Sequence, residues 1–234
     1  MKNSRIILSI FLGIAGFTLP LFPQSRVPDI LRGEVQVETE PLNAFYVQDN
    51  TPPGIQTIRR RALEESAAYF SAMIYGWSFS YDIGERARGI EENFELKPLG
   101  SIPFGDPSLV PTEVELRGIY FHLWSDYRLK DSQKRRMMLW RSGTVKTIQG
   151  LGSSALGPPK GDDDWFTFKR TALEDAARSA IRAALRSNER NRPKQAHGFI
   201  SLAQFPLYGL AHGGLAVSAR FLLELTEIVP FAAY

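Results

Sequence analysis

Apolar residues recur at spacings of three and four between Ile55 and Tyr75. Ile55, Ile58, Ala62, Ser66, Tyr69 and Met73 fall on one side, and Arg59, Arg60, Glu64 and Glu65 occupy the rest. This spacing predicts an amphipathic helix, and Gly76 is placed to end it in a left-handed conformation. The period then changes to two. Trp77, Phe79, Tyr81 and Ile83 alternate with Ser78, Ser80 and Asp82, the pattern of a half-buried strand. Val35 and Val37 alternate with polar neighbours and predict a short strand before the helix, and Asn93 to Lys97 predicts another after it, stopped by Pro98. Val114 to Trp124 reads as one central strand, with Ile119, Phe121 and Leu123 on one face and Tyr120, His122 and Trp124 on the other.

Farther on, Met137 to Trp140 and Thr144 to Ile148 flank Ser142-Gly143, which predicts a hairpin. Gly150 to Lys160 is rich in Gly, Ser and Pro and is expected to be a linker. Thr167 to Asn188 predicts a second helix, with Leu173, Ala177, Ala180 and Ala184 as a narrow stripe of small apolar residues. Glu174 precedes Arg178 by four, an order that supports the helix. Phe199 to Leu202 and Leu215 to Val229 read as strands. The expected fold is α+β: two long helices on one side of a mostly antiparallel sheet.

The two predicted helices share a phrase. Ala62-Leu63-Glu64-Glu65-Ser66-Ala67-Ala68 matches Ala172-Leu173-Glu174-Asp175-Ala176-Ala177-Arg178. Two readings of this match stand: a duplicated α-β-β unit, with halves at about 51–149 and 161–234, or helix-forming vocabulary used twice. The two stretches and the strands after them resemble small α/β domains of bacterial envelope proteins, in particular those of flagellar outer-membrane assembly. The resemblance implies a structural or assembly role and not catalysis.

The N-terminus points to a compartment. Lys2 and Arg5 precede an uncharged, mostly apolar run from Ile6 to Phe22, and Ser25 stands just before Arg26. This is the layout of a secretory signal peptide, so 1–25 is expected to be removed near Ser25 and 26–234 to form a single globular domain. Removing those two residues from the 28 basic ones leaves 26 against 25 acidic, which gives no concentrated basic footprint for nucleic acid. The chain has no cysteine, which excludes disulfides, thiol catalysis and lipid attachment through cysteine. In this it departs from the lipoprotein members of the group it resembles.

Candidate chemistry is sparse. The histidines His122, His197 and His212 have no second ligand at metal-binding spacing. Asp162-Asp163-Asp164 lacks the spaced ligands of a calcium loop and is read either as a cap to the second helix or as a solvated triplet. Gly150 to Gly157 lacks the Lys-Ser/Thr ending of a phosphate loop, and Ser153 and Ser154 lack a nucleophile elbow. Lys130, Lys134, Arg135, Arg136, Arg141 and Lys146 form a basic stretch, read as a solvated strand surface. The C-terminal run from Phe221 to Tyr234 is too solitary for a membrane barrel, which needs about eight such strands. No catalytic, cofactor-binding or metal residue is therefore assigned. The expectation is an exported, non-enzymatic structural or interaction protein of the periplasm or cell envelope. It would have protein partners, no nucleic acid, and membrane contact only through an uncleaved N-terminus. The rival expectations are an exported hydrolase and a small-ligand binding protein using Tyr120 and Trp124.

Overall fold

A computed structural model describes residues 27–40, 54–84, 89–155, 166–188, 193–211 and 214–230. The expected signal peptide, the acidic triplet Asp162-Asp163-Asp164 and His212 lie outside these residues. Among the described residues the order of elements is β1 (Ile30–Glu38), α1 (Ile55–Ile74), β2 (Trp77–Asp82), β3 (Asn93–Pro98), β4 (Leu109–Arg117), β5 (Tyr120–Arg128), α2 (Asp131–Leu139), β6 (Lys146–Ala155), α3 (Thr167–Asn188), β7 (Pro193–Leu202), β8 (Leu207–Ala211) and β9 (Gly214–Pro230).

The strands form two antiparallel sheets, and this overturns the expected single-sheet α+β arrangement. The smaller has the order β1-β5-β4. The larger runs β3-β2-β7-β9-β6, with β8 also paired to β9. One cause is local. The stretch read as a single central strand, Val114 to Trp124, doubles back at Gly118, whose φ of +58° suits a residue without Cβ. The resulting β4–β5 hairpin takes β1 along its other edge and closes a sheet of its own.

The helices also have unlike partners. Helix α1 packs on β1 and β5 of the small sheet and on β7 of the large one, whereas α3 packs on β6 and β9. The hairpin strands after α1 pair with each other, but β8 pairs with β9 and not with β7. The duplicated α-β-β unit is therefore overturned as well, and the shared Ala-Leu-Glu phrase is helix vocabulary. A third correction concerns the predicted hairpin around Ser142-Gly143. Residues 131–139 are helix α2, opened by a cap in which the Gln133 carboxamide oxygen accepts from the Lys130 backbone N–H at 2.9 Å. An unbroken apolar run such as Met137 to Trp140 carries no period that separates helix from strand.

The core joins all layers: Val35 and Val37 of β1, Tyr69 of α1, Phe121 of β5, Ile181 of α3 and Phe221 of β9 belong to one buried cluster. Close approach of α3 to β6 depends on two glycines in the stretch expected to be a linker, of which 150–155 is strand. A Cβ on Gly150 would lie 2.0 Å from the Ala176 carbonyl oxygen, and one on Gly152 would lie 2.2 Å from that of Ala172. Facing alanines and glycines let the helix sit directly on the strand.

Candidate functional site: an apolar cavity between two helices

Helix α3 lies on the large sheet and α1 spans both sheets, the two helices do not pack along each other, and the space between them is a cavity of about 440 Å³. Its volume falls within the ~300–1,000 Å³ usual for small-molecule sites. The walls are short side chains, Ala67, Ala68 and Ala72 from α1 and Leu173 and Ala177 from α3. The floor is Trp77, Leu96 and Phe221 from three strands of the sheet. The segment after β3 closes one side. The Ser71 hydroxyl donates to the Ala67 carbonyl at 2.6 Å and accepts from the Ile102 backbone N–H at 2.8 Å, which ties that segment to α1.

Charge is confined to the rim. Glu64 is held by the Arg60 guanidinium at 2.8 Å, and Arg60 also lies over the ring of Phe104, which is 58% exposed. Across the opening, α3 presents Arg170 and Glu174. Burial raises the Glu174 carboxyl above its ordinary range, and the nearby Arg170 only partly offsets this.

Tyr69 separates this cavity from a buried ionic cluster. The Lys169 ammonium, 1% exposed, donates to both oxygens of Glu65 at 3.1 Å and to the Gln36 carbonyl, and lies 3.4 Å from Glu38. The Tyr69 hydroxyl donates to Glu65 at 2.9 Å, and the ring of Tyr208 covers the ammonium at 5.5 Å. Burial alone would lower the lysine, but Glu65 and Glu38 outweigh it and raise it. Burial pushes Glu65 up to about 6, against the pull of Lys169. A lysine held in its charged form has no free lone pair for nucleophilic attack. The cluster is a brace that joins β1, α1 and α3. A smaller recess of about 270 Å³, lined by Glu34, Glu38, Tyr120 and Tyr208, opens on its far side.

The residues weighed in the sequence do not converge. His122 Nδ1 lies 2.7 Å from Glu34 on the small sheet, and His197 stands opposite Ser80 in the large one. Tyr120 and Trp124 are half-buried on the small sheet, away from the larger cavity. Ser153 and Ser154 dock α3: the Ser153 backbone N–H donates to Asp175 at 3.0 Å and the Ser154 hydroxyl to the Phe168 carbonyl at 2.8 Å. Much of the basic stretch is engaged locally, with Lys130 on Asp106 at 3.2 Å, Lys134 on Asp29 at 2.6 Å, and Arg136 over the Trp140 ring. Among the described residues no group of three or more His, Asp or Glu is arranged to hold a metal, and no helix is long and apolar enough to cross a membrane. Sequence reasoning missed both the cavity and the brace. The signal for the brace was present: Lys169, Leu173, Ala176 and Ala180 share one helical face, so a lysine had to enter the core.

A family model of uncharacterised proteins matches residues 22–231, and the chain belongs to that family. A relative from Treponema pallidum (strain Nichols), described as an uncharacterized protein, is 26% identical over 244 residues, covering 99% of this chain and 97% of its own length. No solved structure matches.

Proposed function

We propose that this family member is a non-enzymatic binding protein of the bacterial periplasm or cell envelope that holds an apolar small molecule between α1 and α3. The observation that carries the reading is the cavity itself: about 440 Å³, walled by alanines and floored by Trp77 and Phe221, with charge only at its rim. Native cores are close-packed, with few voids larger than a water molecule. An opening this size with an apolar lining loses contacts unless something fills it. The charged, fully buried Lys169 favours binding over covalent catalysis. The N-terminal Lys2–Arg5 charge and apolar 6–22 run support export.

The test is a titration of the full chain with phenylnaphthylamine, an uncharged dye that brightens in apolar surroundings. Saturable one-to-one binding is expected, weakened at least about tenfold by Ala177→Trp or Ala68→Phe, each of which fills the cavity. Melting curves confirm that the variants fold. An absence of saturable binding, or equal affinity in folded cavity-filled variants, sinks the reading.

A protein partner is a second reading, favoured by β4. This edge strand is exposed along nearly its whole length, with Val114 49% and Leu116 64% exposed. An unpaired strand edge with apolar side chains suits strand addition by another envelope protein. Cross-linking in intact cells that never captures a partner through β4 counts against it.

A further inference from the structure

The rim of the cavity is asymmetric in its unused charge. Elsewhere on the two helices, beyond the cavity lining, Arg60 is engaged by Glu64, Arg178 by Asp175, and Arg182 by Glu92 and the Tyr81 hydroxyl. Arg170 lines the cavity, is exposed, and makes no hydrogen bond or ion pair among the described residues. Glu174, an acidic neighbour at the rim, feels the charge of Arg170 but makes no hydrogen bond or ion pair with it among the described residues. Glu64, the other acid on the lining, is already neutralised at 2.8 Å. Arg170 also stands in the first turn of α3, where the helix macrodipole adds positive potential. The slot is lined by alanines of both helices, and its volume lies at the low end for small-molecule pockets. One unbranched chain fits such a slot better than a branched or two-chain lipid.

We propose that the cavity takes a single acyl chain ending in an anionic head, with the chain over Trp77 and Phe221 and the head on the Arg170 guanidinium. The proposal rests on the reading of the cavity as a ligand site and adds the ligand's class. A planar guanidinium binds a carboxylate or a phosphate through paired N–H donors, so the head is either that of a free fatty acid or that of a monoacyl phospholipid. The apolar tail supplies most of the affinity, and each added pair of methylenes tightens binding by up to roughly 15-fold until the slot is full.

The experiment is displacement of bound phenylnaphthylamine from the full chain by dodecanoate, dodecyl phosphate, dodecanol and dodecyltrimethylammonium. It is repeated in Arg170→Ala and Arg170→Lys. In the unaltered chain at least one anion is expected to compete about 10-fold or more better than the alcohol, the size of a charge-assisted hydrogen bond. The better of the two anions identifies the source of the head. In Arg170→Ala this advantage is lost, so that both anions fall to the level of dodecanol in the same variant, and Arg170→Lys keeps part of it. If the dye binds but dodecanol matches both anions, if the cation competes best, or if Arg170→Ala keeps the preference for the anion, the headgroup assignment is overturned and the ligand site stands. If the dye itself does not bind, the ligand site fails with it.

Discussion

Removing the buried ammonium should be among the most damaging single changes in this protein. In Lys169→Met the side-chain volume is nearly kept, but Glu65, 1% exposed, loses the cation that meets both its oxygens at 3.1 Å, and Glu38 loses its partner at 3.4 Å. Breaking one side of a buried pair costs about 3–5 kcal/mol, against a total stability of about 5–15 kcal/mol for a folded domain. With a urea slope of roughly 2 kcal/mol/M, the unfolding midpoint should fall by about 1.5–2.5 M. The double variant Lys169→Met/Glu65→Met removes both charges and should recover most of that loss, because an apolar pair of similar volume replaces an ion pair at little net cost. The pH dependence follows from Glu65. Its carboxyl sits at about 6 in the folded chain and ordinarily at 4.5. A raised acid binds its proton more tightly in the folded state. Its contribution is therefore fully present below pH 4.5 and is lost as pH rises through 6, a decline of about 2 kcal/mol at roughly 1.36 kcal/mol per unit. Without Lys169 the carboxyl rises further, so the deficit of the single variant should shrink as pH is lowered from 8 toward 5. Urea titrations of both variants at several pH values measure all of this. A loss below about 1 kcal/mol in the single variant, or a double variant no more stable than the single, refutes the brace.

Two further predictions concern packing. Gly152→Ala places a methyl 2.2 Å from the Ala172 carbonyl oxygen and 2.3 Å from the Ala176 nitrogen, so α3 must lift from β6. A loss of about 1–3 kcal/mol is expected, read by thermal melting, and an unchanged melting temperature rejects close helix–strand contact. Trp140→Phe removes the indole N–H donated to the Ile74 carbonyl at 3.1 Å, which anchors the end of α2 to the end of α1. About 1–2 kcal/mol should be lost in chemical denaturation, and a neutral result contradicts that anchor.

Where local signals were strong, sequence and structure agree closely. The helix expected over 55–75 spans Ile55–Ile74, and Thr167–Asn188 is helical as expected, because a sustained 3.6-residue period and a terminating Gly76 are properties of the segment itself. Gly118 was missed because apolar residues keep alternating through it, so a hairpin and one long strand carry the same pattern. The assignment of strands to two sheets depends on β1 pairing with β5, some ninety residues away, which no local pattern encodes. Lys169 was legible in principle from its place on the Leu173–Ala176–Ala180 face. The cavity was not, since Ala67, Ala72 and Ala177 read only as small helix residues until the two sheets set α1 and α3 apart.

The central claim is that an apolar molecule occupies the space above Trp77. It is tested most directly by quenching of tryptophan fluorescence with a brominated dodecanoate, comparing the full chain with its Trp77→Phe variant. The account predicts saturable quenching in the first and loss of most of that quenching in the second, with ligand affinity, followed by dye displacement, nearly unchanged. Saturable quenching that persists undiminished without Trp77 would put the ligand elsewhere and contradict the account.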